Sequence, residues 1–247
     1  MKKTLAIILT SCILATNFNI ALNAEQSANL TAVIGYGQGK NTDSLNRPTG
    51  ALDFNAQYSK YNSYALNEND NRIILTFDQG YENGYTTKIL DTLKEKNVKA
   101  IFFLTGDYAE KETALVERMI AEGHIIGNHG MKHLSLATCD VEEEIMSLHQ
   151  FVLEKYGVDM NFLRPPCGEY SEECLEKIKD LGYTTLLWSF AHVDWLVDKQ
   201  PDKAKALANL TESLHQGAIY LLHSVSSTNA EILGDFIDNA KSKGYSF

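Results

Sequence analysis

From residue 72 to the end, short apolar runs alternate with longer stretches whose apolar residues recur every three to four positions. Runs at 72–77, 100–104, 124–127, 162–164, 184–188 and 218–222 have the length and the β-branched or aromatic content of strands. Between them, 85–96, 113–122, 141–156, 172–181 and 202–214 read as amphipathic helices. A closing helix over 229–243 puts Ile232, Phe236 and Ala240 on one stripe. Strand–helix units repeated in this way predict an α/β fold, a parallel sheet covered by helices, either open or closed into a barrel.

The chain before residue 72 has a different texture. Lys2 and Lys3 precede an apolar run over 5–13 that is broken only by Thr10, Ser11 and Cys12, and small Ala24 offers a cleavage point. That is the layout of an export signal over 1–24. The run is short for a membrane span of about 20 apolar residues, although an uncleaved copy would still serve as an anchor. Leu9-Thr10-Ser11-Cys12 also resembles a lipoprotein box, but more apolar residues follow it. Residues 25–70 read as an extension wrapped on the domain at 71–247 and ordered by Tyr36, Phe54, Tyr58, Tyr61 and Tyr64.

Composition narrows the partners. A chain of 247 residues with 44% hydrophobic content can bury one sizeable core. A net charge of -10 argues against nucleic acid, whose phosphates it would repel. Beyond the signal three cysteines remain, Cys139, Cys167 and Cys174. Export permits a disulfide, but an odd number in so long a chain is not a disulfide framework. Whether Cys167 pairs with Cys174 stays open.

In either sheet layout, chemistry gathers where strands end and loops begin. Five strand ends carry capable residues: Asp78 with Gln79; His129 with His133; Arg164; Asp194 with Trp195; and His223. Taken singly, each has a plain alternative. An aspartate after a strand is usually a cap, two histidines four apart are usually a surface coincidence, and a histidine after a strand can be a satisfied core residue. Together they are the parts of metal-assisted hydrolysis, and coincidence explains the set poorly.

The segments TFDQGYENGY, GHIIGNHGMKH, RPPCG, VDW and YLLHS resemble, in order, the five motifs of the polysaccharide deacetylases, the NodB-homology proteins of carbohydrate esterase family 4. The resemblance covers about 72–245 and is nearest to the delta-lactam-biosynthetic, PdaA-like branch. It implies a distorted (β/α) barrel and an enzyme, a hydrolase removing the acetyl group from an amino sugar of a cell-wall glycan. In that branch the sugar is N-acetylmuramic acid of peptidoglycan, on the way to muramic delta-lactam. The family roles would make Asp78 the general base, with His129 and His133 as ligands of a divalent metal, zinc being the expected ion. Arg164 would hold Asp78 as a carboxylate, and Asp194 would hold His223 as the imidazolium that protonates the leaving amine. Gln79, Trp195, Pro166 and Gly168 would line the substrate. An amide leaves only with its nitrogen protonated, so a base and an acid on opposite sides are both required.

Two positions depart from the pattern. Gln79 stands where the family usually completes its metal triad with aspartate, and a neutral amide oxygen is a poorer zinc ligand than a carboxylate. A weakly held, dispensable metal is therefore expected. Cys167 stands where the branch often has arginine, so one substrate contact is in question. Two other readings stay open: a deacetylase of N-acetylglucosamine or chitooligosaccharides, and a catalytically silent glycan-binding module. A cell-wall or extracellular location, a glycan partner and a monomer complete the expectations.

Overall fold

The computed structural model describes residues 31–68 and 70–247, so the expected export signal lies outside the described residues. In chain order the first elements are β1 (Ile34–Gly35), α1 (Thr49–Tyr58), β2 (Ser63–Tyr64), β3 (Ile74–Gln79), α2 (Thr86–Glu95), β4 (Ala100–Leu104), α3 (Gly106–Lys111), α4 (Thr113–Ala121) and β5 (Ile125–Asn128). They are followed by α5 (Val141–Tyr156), β6 (Phe162–Leu163), β7 (Glu169–Tyr170), α6 (Glu172–Asp180), β8 (Thr184–Leu186), β9 (Phe190–Ala191), α7 (Lys203–Glu212), β10 (Ile219–His223) and α8 (Ser227–Ser242).

Eight strands form one sheet in the order β2-β8-β6-β5-β4-β3-β10-β9, and every neighbouring pair is parallel. The ladder does not close between β2 and β9. The seam is spanned instead by the chain between β8 and β9, where Leu187 N–H donates to Tyr64 O at 2.8 Å and Ser189 N–H to Ile219 O at 2.9 Å. The result is a (β/α) barrel distorted on one side.

All five residues of β4 are buried, as expected of a strand covered on both faces. Its pleat divides them. Ile101 and Phe103 meet Leu186 and Ile219 inside the barrel, while Ala100, Phe102 and Leu104 join the larger core under the helices. On α2 the buried residues are Thr86, Ile89, Leu90 and Leu93, one stripe of the helix, and on α8 they include Ile232, Phe236 and Ala240. Burying a leucine or isoleucine of such a stripe stabilises the fold by about 1.5–3 kcal/mol.

Three differences from the sequence reading bear on the site. The first strand runs to Gln79 rather than 77, so Asp78 and Gln79 are part of the strand and inherit its rigidity. The run expected as a strand over 184–188 is strand only to Leu186; residues 187–189 bridge the barrel seam, and β9 follows at Phe190–Ala191. Residues before 70 do more than wrap. β2 is hydrogen-bonded to β8 as an edge of the main sheet, and β1 pairs antiparallel with β7.

Candidate active site

The parallel register brings Asp78 on β3 directly opposite His223 on β10. Both stand in the last two residues of their strands, at the carboxyl end of the sheet. Asp78 is buried and His223 partly exposed.

Arg164 follows β6 and is fully buried. Its Nη1 donates to Asp78 Oδ1 at 2.7 Å and to Thr76 Oγ1 at 2.8 Å. Nε and Nη2 donate to the carbonyls of Leu186 and Leu187 at 3.0 and 3.1 Å. The guanidinium also lies over the Phe103 ring, 4.4 Å from its centroid. All three nitrogens of the fork are thus engaged, and the charge is aimed at one carboxylate. Burial alone would push the Asp78 carboxyl up, but the Arg164 guanidinium, together with the neighbouring imidazoles, offsets it and leaves the group below the usual carboxylate range.

The partner of His223 is Asp194, which is fully buried. His223 Nδ1 lies 2.7 Å from Asp194 Oδ1, and His223 N–H donates to Oδ2 at 2.9 Å. Asn229 Nδ2, from the first turn of α8, donates to the same Oδ2 at 2.5 Å. Gln200 ties the loop down by donating to Asp194 O at 3.0 Å while accepting from Ser226 Oγ at 2.6 Å. Burial disfavours the imidazolium of His223, but the hydrogen bond and charge of Asp194 more than offset it, and its pKa is raised above the ordinary histidine value.

His129 is buried next to Asp78, its Nε2 3.5 Å from Asp78 Oδ2. Its Nδ1 lies 2.7 Å from the carbonyl oxygen of Arg164, which only accepts, so Nδ1 carries the proton and Nε2 presents a lone pair. Burial brings the ring down to about 4, with the Asp78 charge opposing, so the neutral form prevails at neutral pH. With His129 neutral, Arg164 is the foremost charge lowering Asp78, with His223 opposite it acting in the same direction. His133 is exposed, and its ring centroid is 4.9 Å from that of His129.

Among the described residues no three His, Cys, Asp or Glu side chains converge as a metal site. The oxygen donor placed next to His129 is Asp78 Oδ2, 3.5 Å from its Nε2. Gln79 is fully buried; its Nε2 bonds Ser224 Oγ, and its Oε1 has no partner. Two imidazoles, an orphaned amide oxygen and one nearby carboxylate fit a divalent cation held loosely, and fall short of the three protein ligands normal for catalytic zinc.

Trp195 is 45% exposed and its ring centre lies 5.5 Å from that of His223, so it stands beside that imidazole at the end of the sheet. Pro166 and Gly168 are buried. Gly168 has a φ of +67° and packs under Trp188, whose Cη2 lies 2.7 Å from where a Cβ would stand. Its local role is this close approach. Cys167 between them is exposed with a φ of 59°, and all three described cysteines are free, so Cys167 and Cys174 do not pair.

The sequence reading placed Tyr36 in the wrapping extension but not its contacts behind the site. Tyr36 Oη donates to Trp188 O at 2.6 Å, and Trp188 Nε1 donates to Gln38 Oε1 at 2.9 Å. The first strand region thus clasps the segment that holds Arg164. Thr76, Asn229 and Gln200 are likewise polar residues whose only signal in the sequence is their place next to a motif.

A family model described as polysaccharide deacetylase matches residues 65–186. The chain is 44% identical over 205 residues to the peptidoglycan-N-acetylmuramic acid deacetylase PdaA of Bacillus subtilis, covering 81% of this chain and 78% of that protein. It is 34% identical over 186 residues to a peptidoglycan-N-acetylglucosamine deacetylase of Bacillus cereus, covering 72% of this chain and 66% of that protein. The solved structure of Bacillus subtilis PdaA, described as a family 4 carbohydrate esterase, superposes with a TM-score of 0.82 at 41% identity, over 88% of this chain and 94% of that one.

Proposed function

The chain belongs to the polysaccharide deacetylase family, and we propose that it hydrolyses the N-acetyl group of an amino sugar in peptidoglycan, with N-acetylmuramic acid as the sugar. The observation that carries the reading is the pairing of Asp78 and His223 across β3 and β10, each with its own buried, oppositely charged partner. A base and an acid whose partners bias them to opposite protonation states are what amide hydrolysis requires. A silent glycan-binding module would have no use for two buried ion pairs aimed at one cleft, since a buried pair is weak support for stability.

In this reading Asp78 takes a proton from the attacking water while its second oxygen stays bonded to Arg164. The hydroxyl oxygen adds to the acetyl carbon, and the tetrahedral intermediate carries its nitrogen toward His223. His223 gives its Nε2 proton to that nitrogen, the C–N bond breaks, and acetate and the free amine separate. Asp194 keeps Nδ1 protonated throughout, which fixes Nε2 as the donor. Trp195 supplies an apolar wall for the sugar face next to the acid. His129 and His133 would hold a divalent cation, whose chemistry when bound is to polarise the acetyl carbonyl and the water.

The muramic acid assignment rests on the likeness to the Bacillus subtilis enzyme. It implies a product able to close to a delta-lactam, and a place outside the cell membrane, which the signal-like segment at 1–24 also supports. No helix of the described residues is long and apolar enough to cross a membrane. The test is acetate release, followed by mass spectrometry, from glycan strands stripped of stem peptides, from intact peptidoglycan and from chitooligosaccharides. Stripped strands should react fastest, because lactam closure needs a free lactyl carboxyl. Faster turnover of chitooligosaccharides would move the assignment to N-acetylglucosamine.

A further inference from the structure

On α5 the buried stripe runs Val141, Ile145, Leu148 and Val152, and a glutamate, Glu144, is buried with it. A carboxylate on the core face of a helix needs a partner, and the hydrogen bonds it accepts come from backbone rather than from a lysine or arginine side chain. Its Oε1 instead accepts two backbone N–H groups, from Lys132 at 2.6 Å and Leu134 at 3.2 Å. These two groups bracket His133, whose φ of 57° is left-handed. Successive N–H groups around a left-handed residue form a concavity suited to an anion, and the left-handed form costs a non-glycine residue about 1–2 kcal/mol that something must offset.

The rest of the loop is shaped to the same carboxylate. Gly130 has a φ of +83°, and a Cβ there would stand 2.8 Å from Glu144 Oε1. Met131 N–H donates to the carbonyl of Glu144 at 3.0 Å. His129, by contrast, is fixed by its own ring bond to Arg164 O. The two imidazoles are thus placed by separate devices, one through a ring nitrogen and the other through the backbone.

We propose that Glu144 is the positioning residue of His133: its carboxylate fills the backbone concavity around His133 and thereby sets that ring beside His129. The catalytic consequence rests on the reading of His133 as part of the deacetylase site; the placement of the ring does not. Glu144→Gln keeps an oxygen that can accept the same two N–H groups, whereas Glu144→Ala leaves both unpaired.

The test uses the full chain with Glu144→Ala, Glu144→Gln, His133→Ala and the double variant Glu144→Ala/His133→Ala. Two readouts are taken: the ¹³Cε1–¹H resonance of His133, assigned by its loss in His133→Ala, and turnover on stripped glycan strands. Glu144→Ala should move the resonance toward that of free histidine and lower turnover about tenfold or more, the scale of losing an outer partner of a site ligand. Glu144→Gln should leave the resonance near wild type and restore most of the turnover. In the His133→Ala background, Glu144→Ala should cost less than about twofold, because it acts only through His133. An unmoved resonance in folded Glu144→Ala, or an equal loss of turnover in both backgrounds, overturns the proposal. Should Glu144→Ala fail to fold, a Glu144→Gln resonance as displaced as that of free histidine overturns it, and an undisplaced one supports it. Full activity in His133→Ala with a displaced resonance in Glu144→Ala would instead remove His133 from the site and leave its placement by Glu144 standing.

Discussion

Arg164 and Asp78 meet across the barrel interior, Nη1 to Oδ1 at 2.7 Å over a sequence separation of 86 residues. The pair is the only one in which a fully buried arginine among the described residues faces a carboxylate. It ties the chemistry of the site to the stability of the fold. Removing one member of a buried pair is costly, because the other charge is left uncompensated, by about 3–5 kcal/mol.

Asp78→Asn should therefore do two things at once. Loss of the base should lower turnover by about 10²–10⁴-fold. The melting temperature should also fall, since Arg164 keeps Thr76 Oγ1 and two carbonyls but loses its counter-charge. Steady-state kinetics and thermal denaturation on the same preparation check both. Turnover within threefold of wild type in a folded protein would remove Asp78 as the base.

Arg164→Lys should not rescue this arrangement. A lysine ammonium cannot reproduce a planar fork that bonds Asp78, Thr76, Leu186 and Leu187 together. Turnover should fall at least about tenfold, with the acid limb of the pH profile moved upward as Asp78 loses the fixed guanidinium hydrogen bond that helps hold its carboxyl low. A profile unchanged in shape would mean that Arg164 serves packing alone.

How much of this was legible beforehand follows from what each residue advertises. The parallel α/β class, the strand-end residues and the order of the motifs could be read because periodicity and local spacing record them. The Tyr36–Trp188–Gln38 clasp could not, because its hydrogen bonds span about 150 residues and its members are ordinary tyrosine, tryptophan and glutamine. The break of the run at 184–188 was hidden for a related reason. Its apolar pattern runs on past Leu186, where the strand ends and the chain turns to bridge the barrel seam. Glu144 did leave a mark, as a carboxylate on an otherwise apolar stripe, but a charged residue near a helix start is ordinarily read as dipole complementarity.

The alkaline limb of the pH profile should belong to His223. Its pKa is raised, so the proton it donates is retained above the ordinary histidine value and lost as pH climbs past that raised point. Asp194→Asn removes the charge that offsets burial, and the limb should move to lower pH, with activity at pH 8 falling more than at pH 6. His223→Ala should abolish the limb, and Asp194→Asn should add little in that background. Multiplying losses would give Asp194 a role of its own.

Tyr36→Phe tests whether the clasp behind Arg164 matters. It deletes one hydrogen bond, Tyr36 Oη to Trp188 O, and keeps the ring edge-on to Trp188 and Phe54. The expected cost is about 0.5–1.5 kcal/mol, read as a lower melting temperature with the unfolding cooperativity unchanged. An unchanged melting temperature would show that the ring contacts alone hold the clasp.

Gln79→Asp bears on the metal most directly. Gln79 is fully buried, its Oε1 has no partner, and Asp78 is its neighbour on β3. A carboxylate placed there without a cation would be a second buried anion, destabilising the fold and raising the carboxyl of Asp78 through like-charge repulsion. With a cation present, the same carboxylate supplies the charged oxygen that the two imidazoles lack. The variant should therefore melt lower than wild type in chelator and gain more on adding zinc. A ligand at 100 times its dissociation constant raises stability by about 2.7 kcal/mol, which is ample to detect. Calorimetric titration with zinc should give tighter binding to Gln79→Asp than to wild type, and turnover need not rise, because the base has also been altered. Equal affinity in the two proteins would show that the side chain at 79 does not face the metal, and would leave His129 and His133 as its only protein ligands.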